Sequence, residues 1–112
     1  GPVCWMAPEQ LRTRAYSKAS DVYAFGCTLF EIVERQPPWK NVALSMAIHY
    51  TISGERPPRR RKRWPPTVYA LADRCWREDA AARPTALVCC SVLGGDGDAG
   101  EDAAQRGGGG GG

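Results

Sequence analysis

Apolar side chains crowd residues 21–34 so densely that a helix drawn through them has almost no polar face. Val22, Tyr23, Ala24, Phe25, Cys27, Leu29, Phe30, Ile32 and Val33 fall on every side of it. Ser20 stands where an N-cap would, and Asp21 puts a negative charge at the helix N-terminus. The pattern predicts a helix from Asp21 to Glu34 that belongs in the middle of something larger. Before it, residues 1–20 read as irregular, punctuated by Pro2 and Pro8, with a short helical turn over Glu9–Arg12. After it, Pro37-Pro38-Trp39 breaks the helix. Asn41 is placed to cap a second helix carrying Val42, Met46, Ala47 and Tyr50 on one face, ending near Gly54. A Pro- and Arg-rich loop, Glu55–Pro66, leads to a third helix opened by Thr67, where Val68, Leu71, Ala72 and Cys75 recur at helical spacing beside Trp76. Thr85 predicts the cap of a last helix, Ala86–Leu93. No alternating strand pattern competes, so the expected fold class is all-α.

Composition changes the picture mainly at the C-terminus. The 112 residues suffice for one small domain, and 43% hydrophobic with 24% charged residues is a globular balance. Residues 94–112 are Gly, Asp, Ala and Glu ending in a run of glycine, which has nothing apolar to bury and reads as a flexible tail. That leaves residues 1–93 as the foldable body. Asp96, Asp98, Glu101 and Asp102 against Arg106 make the tail acidic, so the body is more basic than the chain's net +3. Much of the excess lies in one run, Arg59–Arg63. A solvated loop is the expected role of that run; a nuclear-localisation or nucleic-acid patch is the alternative, though no recognition helix or zinc site accompanies it. His49, the only histidine, lacks a nearby Cys or Asp partner and reads as a helix-surface residue. The five cysteines, Cys4, Cys27, Cys75, Cys89 and Cys90, form neither a disulfide framework nor a Cys-x-x-Cys metal spacing. A reducing intracellular compartment, the cytoplasm, is the simpler expectation. No apolar run approaches the ~20 residues that span a bilayer, and no signal peptide is visible. A chain that opens on Gly1 reads as part of something longer.

Four pieces in one order carry the chemistry: Trp5-Met6-Ala7-Pro8-Glu9, Asp21-Val22-Tyr23-Ala24-Phe25-Gly26, Cys75-Trp76 and Arg83-Pro84. Together they resemble the C-terminal half of a eukaryotic protein kinase catalytic domain, over residues 1–88. Gly54-Glu55-Arg56-Pro57 and Arg83-Pro84-Thr85 resemble the stretch shared by tyrosine and tyrosine-kinase-like kinases. The resemblance implies the C-terminal helical subdomain of the kinase fold, incomplete.

Residue by residue, the resemblance places Gly1, Pro2, Val3, Cys4 and Trp5 on the peptide-substrate surface. It makes Glu9 and Arg83 an ion pair that pins the end of the activation segment. A bidentate Arg–carboxylate contact suits that task because it fixes orientation as well as distance. It makes Asp21 the carboxylate that organises the catalytic loop, a supporting role, and Trp76 a buried core aromatic. Gly1-Pro2 departs from the Gly-Thr of many serine/threonine kinases. Pro2-Val3-Cys4-Trp5 looks closer to the Pro-Val-Lys-Trp of tyrosine kinases, but Cys4 replaces its basic residue. The reading is a serine/threonine enzyme of the tyrosine-kinase-like group, with tyrosine as the lesser alternative. The apolar run Ala86–Cys90 departs from the family's polar-studded last helix.

No Gly-x-Gly-x-x-Gly loop, no strand lysine in a Val-Ala-x-Lys setting, no His-Arg-Asp and no Asp-Phe-Gly is present. The resemblance therefore assigns ATP and Mg²⁺ to the parent domain, and no catalytic, nucleotide-binding or metal-binding residue to this chain. The parent's partner is a protein substrate; membrane and nucleic acid are not expected partners, and the oligomeric state stays open. The alternative reading is a pseudokinase-type interaction module without catalysis. A last expectation is that the chain alone folds poorly, because its short helices cannot cover Val22, Phe25, Leu29 and Phe30 together.

Overall fold

The computed structural model describes residues 3–94, and among these there are five α-helices and no strand. They are α1 (Pro8–Thr13), α2 (Lys18–Glu34), α3 (Leu44–Ile52), α4 (Pro66–Cys75) and α5 (Ala86–Leu93). Short 3-10 turns precede three of them, at Val3–Trp5, Arg61–Arg63 and Ala80–Ala82. Of the tail expected at 94–112, all but Gly94 lies outside the described residues.

Four of the five helices begin for a local reason. Pro8 opens α1, where a missing N–H costs nothing, and Pro66 does the same for α4, one residue before Thr67. The long helix starts earlier than the pattern predicts. Its cap is Ser17, whose hydroxyl accepts from the Ser20 amide, while Ser20 Oγ accepts from the Ser17 amide. Ser20 is thus the inner half of a reciprocal cap. Asn41 does not cap α3. It adopts φ 66°, a left-handed turn conformation, whereas a cap residue needs extended backbone, and α3 starts after Ala43. Thr85 caps α5, its hydroxyl accepting from the Val88 amide at 3.2 Å. Gly54, at φ 96°, ends α3 in a conformation that favours glycine.

The core forms around α2. Val22, Tyr23, Cys27, Leu29 and Phe30 are buried against Trp64, Leu71, Ala72, Cys75 and Trp76. Phe30 stands between two indoles, 6.5 Å from Trp64 and 6.1 Å from Trp76, and Tyr23 meets Trp76 at 6.3 Å. This corrects the premise that the short helices leave these side chains uncovered, since Val22, Leu29 and Phe30 are all covered and Phe25 is half-buried, while Ile32 and Leu87 stay exposed. The cover comes from α4 together with Trp64, which the loop before it supplies. The helix is also not enclosed all round: Asp21, Thr28 and Ile32 are exposed.

Gly26 lets Trp76 reach α2. A Cβ at Gly26 would stand 2.7 Å from Trp76 Nε1 and 3.0 Å from Cys75 Cβ. Gly26→Ala should therefore force the indole outward and cost about 1–3 kcal/mol. A urea titration reads this as an earlier midpoint with unchanged slope; an unmoved midpoint would refute the close packing.

Candidate functional site

Arg83 lies at the junction of α1, α2 and the segment entering α5, with its side chain wholly buried. Its Nη1 and Nη2 donate to the two oxygens of Glu9 at 2.7 and 2.8 Å, a forked contact. Nη1 also donates to the Ala19 carbonyl in the first turn of α2, and Nε to the Arg77 carbonyl. One side chain thereby ties α1, the head of α2 and the chain before α5.

Beside this junction opens a cavity of about 660 Å³ between α2 and α5. Val22 and Phe25 form one wall, Leu87 and Cys90 the other, and Asp21 and Lys18 the polar edge. The Asp21 carboxylate is exposed and accepts from the Tyr16 phenol at 2.6 and 2.7 Å. That hydrogen bond, with the nearby negative charge, holds the Tyr16 phenol above its ordinary value. The Tyr16–Asp21 contact has no counterpart in the sequence reading.

Val3, Cys4 and Trp5 make a half-buried 3-10 turn. Gly1 and Pro2 lie outside the described residues. Trp5 Nε1 donates to Glu31 at 2.8 Å, which fastens the turn to α2. Burial pushes the Cys4 thiol upward.

The basic run is not simply solvated, which corrects the expectation for it. The Arg59 guanidinium lies 3.6 Å over the Tyr69 ring, is mostly buried and pairs with Asp73. Arg60 donates through its amide and its Nε to the two oxygens of Glu34, both at 2.7 Å. Trp64 Nε1 donates to Glu34 at 2.8 Å. Arg61 also lies over Tyr69, 4.2 Å from the ring centre, and Lys62 and Arg63 are exposed to water. His49 is exposed on α3.

Two carboxylates in these anchors are shifted downward. The hydrogen bonds from Arg83 lower Glu9 against the opposing effect of burial. Burial raises Glu34, but hydrogen bonds from Trp64 and Arg60 outweigh it. An unfolded chain binds protons near the ordinary value of 4.5, above the folded values. Stability is thus fully present above about pH 5 and lost as pH falls through the folded values. Urea midpoints taken from about pH 7 down to about pH 3 should stay level and then decline; a rise on acidification would contradict both pairings.

Among the described residues, no three acids, histidines or cysteines stand together as a metal site. Of the cations at the cavity, Arg83 is committed to Glu9, Ala19 and Arg77, leaving Lys18 alone. Among the described residues, no helix is long and apolar enough to cross a membrane.

The family model described as protein tyrosine and serine/threonine kinase matches residues 1–93. The insulin-like receptor of Drosophila melanogaster is 38% identical over 96 residues, 82% of this chain and 4% of the receptor. The probable serine/threonine-protein kinase drkB of Dictyostelium discoideum is 36% identical over 94 residues, 83% of this chain and 14% of that protein. The tyrosine-protein kinase receptor TYRO3 of Gallus gallus is 39% identical over 97 residues, 82% of this chain and 10% of the receptor. The chain thus spans a small part of each relative's length, and relatives of both acceptor types are similar to it.

Proposed function

The chain belongs to the family of protein tyrosine and serine/threonine kinases, and from that premise we propose that residues 1–93 work as the C-terminal helical part of a catalytic domain. The whole protein transfers the γ-phosphoryl group of ATP to a protein hydroxyl, that of serine or threonine ahead of tyrosine. The observation that carries this reading is the forked Arg83–Glu9 contact, tied through Ala19 to the head of α2. It locks the chain after Trp5-Met6-Ala7-Pro8 against the helix that bears Asp21. In this reading Glu9 and Arg83 pin the end of the activation segment. Asp21, exposed beside the cavity, receives the backbone of a catalytic loop supplied by the rest of the domain. Gly1–Trp5 form part of the peptide-substrate surface, steadied by Trp5 on Glu31. Cys4 in place of a basic residue favours serine or threonine as acceptor. ATP and Mg²⁺ are held elsewhere in the parent domain, and residues 94–112 are a tail beyond it. Five free cysteines suit work inside the cell.

A chimera tests this: residues 1–93 replace the matching stretch of the drkB kinase, and transfer to serine, threonine and tyrosine peptides is measured. Transfer to serine or threonine is expected, whereas the chain alone should neither bind ATP·Mg²⁺ saturably nor phosphorylate a peptide. Transfer to tyrosine alone would overturn the acceptor. A folded chimera that binds ATP yet transfers nothing would replace this reading with that of a non-catalytic interaction module.

A further inference from the structure

Cys75 closes α4, Cys89 lies midway along α5, and their sulfurs stand 3.8 Å apart. Both thiols are free and buried, 0% and 2% exposed. We propose that they are an oxidisable pair, and that two-electron oxidation by a peroxide joins them in a disulfide that staples α5 to α4. This inference is independent of the kinase reading.

The geometry needs little change. The sulfurs must close by somewhat under ~2 Å to reach bonding distance, a movement that a rotation at Cβ and a small slide of α5 supply together. The helix that must move is the one least held. Along α5 only Cys89 is buried, while Leu87 is 80% exposed. A helix seated on so few contacts opens at low free energy and brings Cys89 to water. Burial, with Cys89 beside it, pushes the Cys75 thiol up to about 12, so the closed arrangement is unreactive and oxidation waits on that opening. The other thiols are placed differently. Cys27 directs its Sγ–H toward the Cys4 carbonyl at 3.9 Å, and Cys90 is exposed on the next position of α5.

The chemistry balances with a peroxide as oxidant. The Cys89 sulfur attacks one oxygen of hydrogen peroxide, the O–O bond breaks, and a sulfenic acid forms with release of one water. The Cys75 sulfur then attacks the sulfenic sulfur. The S–O bond breaks and hydroxide leaves, taking the Cys75 proton as a second water. The two sulfurs give up two electrons, and the peroxide oxygens receive them. A dithiol reverses the step by exchange. The closed loop contains Arg83, so the oxidised chain holds the Glu9 anchor and one wall of the cavity more tightly.

The test uses the full chain carrying Cys90→Ser, so that Cys89 is the one cysteine in its tryptic peptide. The protein is treated with hydrogen peroxide in native buffer and in urea, blocked with N-ethylmaleimide, digested with trypsin and mapped by mass spectrometry without reductant. In native buffer the Cys75–Arg77 peptide should appear linked to the peptide bearing Cys89. That pairing should exceed the other pairings of Cys4, Cys27, Cys75 and Cys89 by about tenfold, the advantage of prealigned groups over a random chain. In urea the preference should vanish. The native oxidised protein should also melt roughly 10 °C higher, a rise lost on reduction and in Cys75→Ala and Cys89→Ala. Coincident pairing profiles in native buffer and urea overturn the proposal, as does a native protein in which N-ethylmaleimide still labels both Cys75 and Cys89 after peroxide.

Discussion

Glu9→Ala is expected to destabilise the chain by about 3–5 kcal/mol, because it leaves the Arg83 guanidinium buried without a counter-charge. The Arg83 side chain has no exposed surface, so water cannot replace the lost carboxylate. Its remaining partners are the carbonyls of Ala19 and Arg77, which carry no full charge. Arg83→Ala should cost a similar amount by another route. The Glu9 side chain, 29% exposed, can recover hydration, but the Ala19 and Arg77 carbonyls lose their donor and a cavity opens. The double variant should therefore cost clearly less than the two single losses combined. Urea midpoints of the four proteins measure the coupling, and strict additivity would show that the forked contact contributes no pair energy. Arg83→Lys keeps the charge but not the fork, so it should recover only part of the loss.

What could be read from the chain follows from how local each cause is. The Thr85 cap is local, a hydroxyl three residues from the amide it accepts, and the predicted bounds of α5 match the structure. The start of α2 is also local but has two serines in the right place. Choosing the one nearest the apolar run picked Ser20, the inner member of a pair whose outer member sets the boundary. Asn41 went wrong because the same side chain suits a cap and a left-handed turn, and Trp39, also at positive φ, fixes the turn. The Tyr16–Asp21 bond spans five residues and had a signal, a phenol just upstream of a helix head with a carboxylate in its first turn. Glu9 and Arg83 are 74 residues apart, so nothing local links them, and only the motif resemblance suggested the pairing. Helices alone do not account for how Val22, Leu29 and Phe30 come to be covered. Trp64 and Arg59 come from a loop that reads as polar, yet one fills the core beside Phe30 and the other covers Tyr69.

Glu34→Ala is expected to be nearly as costly as loss of the Glu9 anchor, at about 3–5 kcal/mol, although the residue stands at the very end of α2. Its side chain is 1% exposed and accepts three hydrogen bonds, from the Arg60 amide, Arg60 Nε and Trp64 Nε1. A carboxylate at a helix C-terminus opposes the helix dipole, so these donors must hold it there. The two partners differ once it is gone. Arg60 is half exposed and turns to water, but Trp64 is 5% exposed and its indole N–H is left unpaired in the core. The Trp64→Phe substitution separates the two effects. With Glu34 present it should cost about 1.5–3 kcal/mol for the lost bond to a charged acceptor, plus the lost packing. In the Glu34→Ala background it should cost much less, since no indole N–H remains unpaired. The same break releases the basic loop, so trypsin should cut within Arg59–Arg63 faster in Glu34→Ala than in the native chain. Equal cost of Trp64→Phe in both backgrounds, with unchanged cleavage at the basic run, would show that Glu34 does not anchor this loop.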